Sequence, residues 1–139
     1  TQKPGWPASA GSIASPHELT PRSRSLRSRL RGDLDMSIPV EVADIPERLA
    51  EFDRGYLLTS RDGQVKVVSV RAVAQDGTLV VPAPGPGSVR NVGANPRVTL
   101  LFPPVESPGM TLLVDGTAAA EGDDVRVTAT SAILHKPVA

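Results

Sequence analysis

The sequence predicts an all-β domain, an antiparallel barrel of six strands with two short helices. Three observations predict it. Runs rich in β-branched and aliphatic residues recur at short, regular spacing between turn signals, as in closed antiparallel sheets. Two of those turns are Asp-Gly pairs, Asp62-Gly63 and Asp76-Gly77, the dipeptide best suited to a tight hairpin because both central residues take positive φ. Helical apolar periodicity, by contrast, is confined to one stretch near residue 45.

Residues 1–35 read as a disordered tail. TQKPGWPASAGSIASP is rich in Pro, Gly, Ser and Ala without periodicity, and RSRSLRSRLRGD follows with five arginines. Such a run serves as an arm for RNA or an acidic membrane surface, or is simply solvated; a further reading makes Met36 the true start. The folded domain is expected over 36–139, beginning near Ile38. Asp44-Ile45-Pro46-Glu47 reads as a capping box. Ile45, Leu49 and Phe52 then share one face, so a helix is expected over 45–53, stopped by Gly55 and lying on a barrel end.

Residues 56–60, 64–74 and 78–81 form three consecutive strands, a meander joined by the two Asp-Gly turns. Pro82, Pro84, Gly85, Pro86 and Gly87 then break regular structure. Ser88 is placed to cap a short helix over 89–94, ended by Asn95-Pro96. Arg97–Phe102 is the fourth strand and 110–121 the fifth, with Gly116 marking a bend or bulge. The sixth runs from Val125 to Leu134, where Val125, Val127, Ala129 and Ser131 alternate with Arg126, Thr128 and Thr130. His135 is expected in the frayed end.

Composition narrows the chemistry. The chain has 139 residues, enough for one domain, and no cysteine, which removes disulfides, thiolate catalysis and cysteine-based zinc sites. His17 and His135 are its only histidines, so no metal site and no Ser-His-Asp triad is expected. Residues 1–35 carry six cations against three acids, and the remainder nine against twelve. The folded part is therefore mildly acidic and is not expected to bind nucleic acid. No apolar run reaches the ~20 residues of a membrane helix, and no signal peptide is visible, which predicts a soluble, cytoplasmic protein. With so few aromatics, the core must come from Val, Leu, Ile and Ala. A core of ~100 residues is marginal alone, and a partner subunit would support it.

The residues that suggest chemistry lie within 63–103. Lys66, Arg71 and Arg90, with the hydroxyl of Ser88, flank the Pro/Gly bend. A phosphate monoester suits them. Arg90 can donate in a planar fork, Ser88 lies at a helix N-terminus where free N–H groups and the dipole favour an anion, and Gly85 and Gly87 allow close backbone approach. The valine-rich strand offers an apolar edge for a flat ring. On an ideal pleat Lys66 and Arg71 fall on opposite faces.

The order Lys66-Val67-Val68-Ser69-Val70-Arg71, then Gly77, then Gly87-Ser88 with Arg90, then the run Asn95-Pro96-Arg97-Val98-Thr99-Leu100-Leu101-Phe102-Pro103, resembles the pyridoxamine 5′-phosphate oxidase-like family of FMN-binding split barrels over about residues 45–134. The resemblance implies a six-stranded antiparallel split β-barrel that forms a homodimer with the flavin between subunits. It implies that Lys66, Val67, Val68, Ser69 and Arg71 lie on the strand along the flavin. It also implies that Val81 and Pro82 end the strand beside the phosphate, and that Ser88 and Arg90 hold it. Pro82 stands where the family usually has a hydroxyl residue and Met110 where the oxidase has an amide. The chain ends at Ala139, before the segment bearing the oxidase's arginine and histidine substrate contacts. These departures point away from pyridoxamine phosphate as substrate, and leave FMN or the deazaflavin F420 as cofactor. An oxidoreductase acting on a small molecule is the leading expectation, with no side-chain acid or base assigned. The alternatives are a non-catalytic carrier of the same ligand and a cofactor-free structural dimer.

Overall fold

The computed structural model describes residues 37–136, and the tail over 1–35 with its arginine run, together with Met36, lies outside them. Eight strands are present where six were expected: β1 (Ser37–Val40), β2 (Gly55–Arg61), β3 (Gln64–Val70), β4 (Val73–Gln75), β5 (Thr78–Val81), β6 (Arg97–Phe102), β7 (Thr111–Glu121) and β8 (Asp124–His135). All pairings are antiparallel, in the order β3-β2-β6-β7-β8-β5-β4, with β1 added beside β8.

The two extra strands have separate causes. β1 lies at the start of the expected domain, where no strand was expected, and pairs with the far end of β8. The expected strand over 64–74 is two strands, interrupted at Arg71-Ala72. This break dissolves the expected meander. β3 pairs with β2 and β4 with β5, but β3 and β5 do not pair; β5 instead lies against β8. β3 and β4 thus end the strand order at opposite edges while remaining two residues apart in the chain, and a barrel with an open seam results.

Both Asp-Gly turns form as expected, with positive φ at Asp62 and Gly63 (53° and 79°) and at Asp76 and Gly77 (52° and 79°). β8 serves two neighbours along one edge, β5 against its first half and β1 against its second, while β7 covers its other edge. The irregularity expected at Gly116 is there: Asp115 pairs with Ser131 and Gly116 with Ala129, leaving Thr130 unpaired as a bulge. A Cβ on Gly116 would meet the carbonyl of Thr128. The bulge also flips the phase of β8. Val125 and Val127 point inward, but beyond it Ala132 and Leu134 do so and Ser131 is exposed, contrary to the uninterrupted alternation expected. His135 is the last residue of β8, its Nδ1 3.3 Å from Ser37 Oγ.

The helices depart from expectation at their starts. A 3-10 turn (Val42–Asp44) leads into α1 (Ile45–Leu49), so Asp44 already has helical dihedrals (φ −93°, ψ −2°) and its carboxylate makes no cap. The helix is shorter than 45–53 because the chain must enter β2 at Gly55, a position buried against the Phe102 ring rather than a helix stop. Ile45 is buried, Leu49 and Phe52 lean on the core, and the Phe52 and Phe102 rings sit 6.4 Å apart, so α1 does cover a barrel end. The second helix, α2 (Pro86–Ala94), starts earlier than the expected 89, with Gly85 as its cap residue at φ 111° and Ser88 inside its first turn. Asn95 ends it as expected and ties it down, donating to Ser60 Oγ at 2.9 Å and accepting from Arg97 N–H at 3.1 Å.

The core is aliphatic, as the composition requires: Leu57, Leu100, Leu112, Val81, Val114, Val125 and Val127 are fully buried around Phe102. Each fully buried side chain of this kind contributes roughly 1.5–3 kcal/mol. Among the described residues no helix is long and apolar enough to cross a membrane.

Candidate functional site

The Asp62-Gly63 turn sets the register that builds the site. It pairs Thr59 of β2 directly with Lys66 of β3, and on β2 the inward positions are 55, 57 and 59. Thr59 is therefore a buried hydroxyl in an apolar register and needs a partner. It finds one in α2, accepting from Asn91 Nδ2 at 3.0 Å. This bond and the Asn95–Ser60 bond lay α2 across the end of β2.

Lys66, on the same side, consequently lies over the first turn of α2. A Cβ on Gly87 would stand 3.0 Å from its Cε and 3.3 Å from its Nζ. Glycine at 87 is what lets the ammonium rest against that turn. Pro86 has no N–H, and Val89 N–H already bonds Gly85 O at 3.1 Å. The N–H groups of Gly87 and Ser88 have no helical acceptor, as at any helix start. Ser88 is 0% exposed, and its Oγ has no hydrogen-bond partner among the described residues. A buried hydroxyl left unpaired costs about 1–3 kcal/mol. A cation, two free backbone donors and an orphaned hydroxyl thus gather at one helix start.

Next to them opens a cavity of about 490 Å³ lined by Arg61, Asp62, Gln64, Val65, Lys66 and Asn91. Beyond it, β3 is an edge strand whose Val65 and Val67 are 66% and 55% exposed. No family model matches the sequence, and no curated protein matches it significantly. Solved structures do resemble it. A FAD-binding protein from Mesorhizobium loti is 17% identical, with a TM-score of 0.58 over 73% of this chain and 98% of that one. The FAD-binding protein of Mycobacterium smegmatis is 18% identical, with a TM-score of 0.56 over 73% and 98%. A candidate pyridoxamine 5′-phosphate oxidase from Corynebacterium glutamicum is 12% identical, with a TM-score of 0.59 over 74% and 99%. The fold is the split barrel. At these identities the likeness extends to the fold alone.

On this split barrel the residues singled out from sequence fall in different places. Lys66 rests against Gly87 in the first turn of α2, the turn that also holds the buried Ser88. Val67 faces outward, Val68 leans on the core, and the Ser69 hydroxyl accepts from Arg54 Nη1 at 3.0 Å. Arg71 stands past the end of β3, where its guanidinium is 2.8 Å from the Asp53 carboxylate. Val81 is fully buried, so only its backbone can face a ligand, and Pro82 is exposed. Arg90 lies one turn past Gly87, exposed, outside the cavity lining and in no ion pair among the described residues.

Sequence reasoning passes over Thr59, Arg61, Gln64 and Asn91. Two of them carry a signal: Asn91 follows Gly87 by one helical turn, and Thr59 interrupts the inward apolar positions of its strand.

Proposed function

We propose that this split barrel binds a flavin or deazaflavin, FMN or F420, through its phosphate at the start of α2. The observation that carries the reading is the orphaned, fully buried Ser88 Oγ in the same helical turn as Gly87, against which the Lys66 side chain rests. These residues fit a phosphate. It accepts from the Ser88 hydroxyl and from the N–H groups of Gly87 and Ser88, and Lys66 neutralises its charge. The open edge of β3 beside Lys66 is available to the ring, while Arg90, one turn on, is free to close over the anion from outside.

Such a cofactor supplies hydride or electron transfer, and the protein supplies position and electrostatics. The proposed activity is therefore that of an oxidoreductase on a small-molecule substrate. We also propose a homodimer. Its interface would be the outward row Tyr56-Leu101-Leu113-Ile133-Pro39, whose members are cross-strand neighbours over five strands. The resemblance to homodimeric split barrels and the small core support a second copy as the occupant of that face.

Titration with FMN and with F420, followed by fluorescence, tests the reading. Wild type is expected to bind one of them. Lys66→Met and Ser88→Ala are each expected to weaken binding by about 1.5–3 kcal/mol, the usual range for hydrogen bonds to a charged group. Absence of binding to either cofactor overturns the proposal. Turnover of the loaded protein with a reductant and an acceptor separates an oxidoreductase from a carrier.

A further inference from the structure

We propose that Asp124, far along the chain from the hairpin that carries Lys66, is a positioning residue for the anion cradle. The proposal rests on the phosphate reading above and names the group that sets its geometry. Between β5 and α2 the chain runs Pro82-Ala83-Pro84-Gly85-Pro86. Proline has no N–H, so across Pro82-Ala83-Pro84 the sole backbone donor is Ala83. That donor goes to the Asp124 carboxylate, with Ala83 N 2.9 Å from Oδ1.

Ala83 is also held at φ 40°, a left-handed conformation that is costly for a residue with a Cβ. The next residue but one, Gly85, sits at φ 111° and opens the helix. Two unusual backbone conformations therefore set the direction in which α2 leaves the sheet, and the first is tied to another strand by a charge-assisted bond.

The register explains why Asp124 can do this. Val81, the last residue of β5, pairs with Val125, so Asp124 stands beside the point where the bend departs. Asp124 is half-buried, and its carboxylate reaches Ala83 without a competing ion pair among the described residues. Residue 124 acts through the backbone: it fixes Ala83, Ala83 fixes Gly85, and Gly85 aims the N–H groups of Gly87 and Ser88.

The test uses the full chain and three variants: Asp124→Ala removes the acceptor, Asp124→Asn keeps an acceptor oxygen without the charge, and Asp124→Glu keeps the charge but misplaces the oxygen. FMN affinity is expected to fall at least tenfold in Asp124→Ala and at least threefold in Asp124→Glu. Asp124→Asn is expected to stay within threefold of wild type, the rescue that marks an acceptor. In the cofactor-free protein, the Gly87 and Ser88 amide resonances and hydrogen exchange at Val89 are expected to change in Asp124→Ala but not in Asp124→Asn. Should Asp124→Ala fail to fold, Asp124→Glu carries both measurements. Unchanged amides at Gly87 and Ser88 in Asp124→Ala and Asp124→Glu, or equal loss of affinity in Asp124→Asn and Asp124→Ala, overturns the proposal. A wild type that takes up no flavin refutes the flavin reading instead, and the amide measurements still decide the role of Asp124.

Discussion

Gly87 is where the Lys66 side chain meets the start of α2. The Lys66 side chain occupies the space a Cβ would need there, with Cε at 3.0 Å. Gly87→Ala is expected to fold normally, since Gly87 does not have a positive φ and alanine is the better helix former. The added methyl must push the ammonium away from the helix start, however, and FMN affinity is expected to fall several-fold while the melting temperature holds or rises. A calorimetric titration alongside a thermal melt checks both. At this scale the sequence was only partly legible. Lys66 and Ser88 could be picked out because cations and hydroxyls near a Pro/Gly bend are visible in one dimension. Arg71 stands out on the same grounds, and the structure pairs it with Asp53 at 2.8 Å, a carboxylate that no local pattern links to it. Thr59 and Asn91 were missed because their meaning lies in a contact across 32 positions.

Among the elements, β8 is the one most shaped by distant partners. Its bulge at Thr130 faces Gly116, where an added Cβ would meet the Thr128 carbonyl and the Val127 side chain. Gly116→Ala is expected to destabilise the fold by about 1–3 kcal/mol, the usual cost of forcing volume into a filled interior, measured as a lower urea midpoint at constant slope. The start of the same strand carries a titrating pair. Arg126 Nε is 2.7 Å from Glu121 Oε2 and its Nη1 is 2.7 Å from Thr78 Oγ1, which ties the β7–β8 turn to β5. The hydrogen bond from Arg126 holds the Glu121 carboxyl below its ordinary value, and the same bond raises Arg126. A carboxyl lowered in the folded state stabilises fully above its unfolded value and loses that contribution as pH falls through the folded one. Glu121→Gln is thus expected to be slightly less stable than wild type at neutral pH. Urea midpoints of the two proteins are expected to converge in acid, below the folded carboxyl's value. The turns that frame these strands were readable because Asp-Gly is a local rule. The bulge residue was not, because the choice between Ala129, Thr130 and Ser131 depends on what β7 places opposite.

For the molecule as a whole, the outward face of the sheet is the interface of the proposed homodimer. Tyr56, Leu101, Leu113, Ile133 and Pro39 form a continuous row, and the adjoining row holds Asp115, whose carboxylate accepts from Thr99 Oγ1 at 2.7 Å. Wild type is expected to sediment at twice the chain mass of 14.6 kDa, and Leu113→Glu as a monomer that keeps its sheet spectrum. The barrel itself was legible in the sequence, since short strands and little helix leave few other layouts. Its strand order was not, because nothing near residue 71 says that β3 and β4 take opposite edges.

That arrangement has a mechanical outcome. The two margins of the wall are joined through the chain by Arg71 and Ala72, and a link of two residues cannot stretch beyond roughly 10 Å between its anchors. Opening of the seam between β3 and β4 is therefore held short where this link joins them. Splicing a few glycines between 71 and 72 would slacken it, and the rate at which ligand comes and goes should quicken before the shell itself melts any sooner.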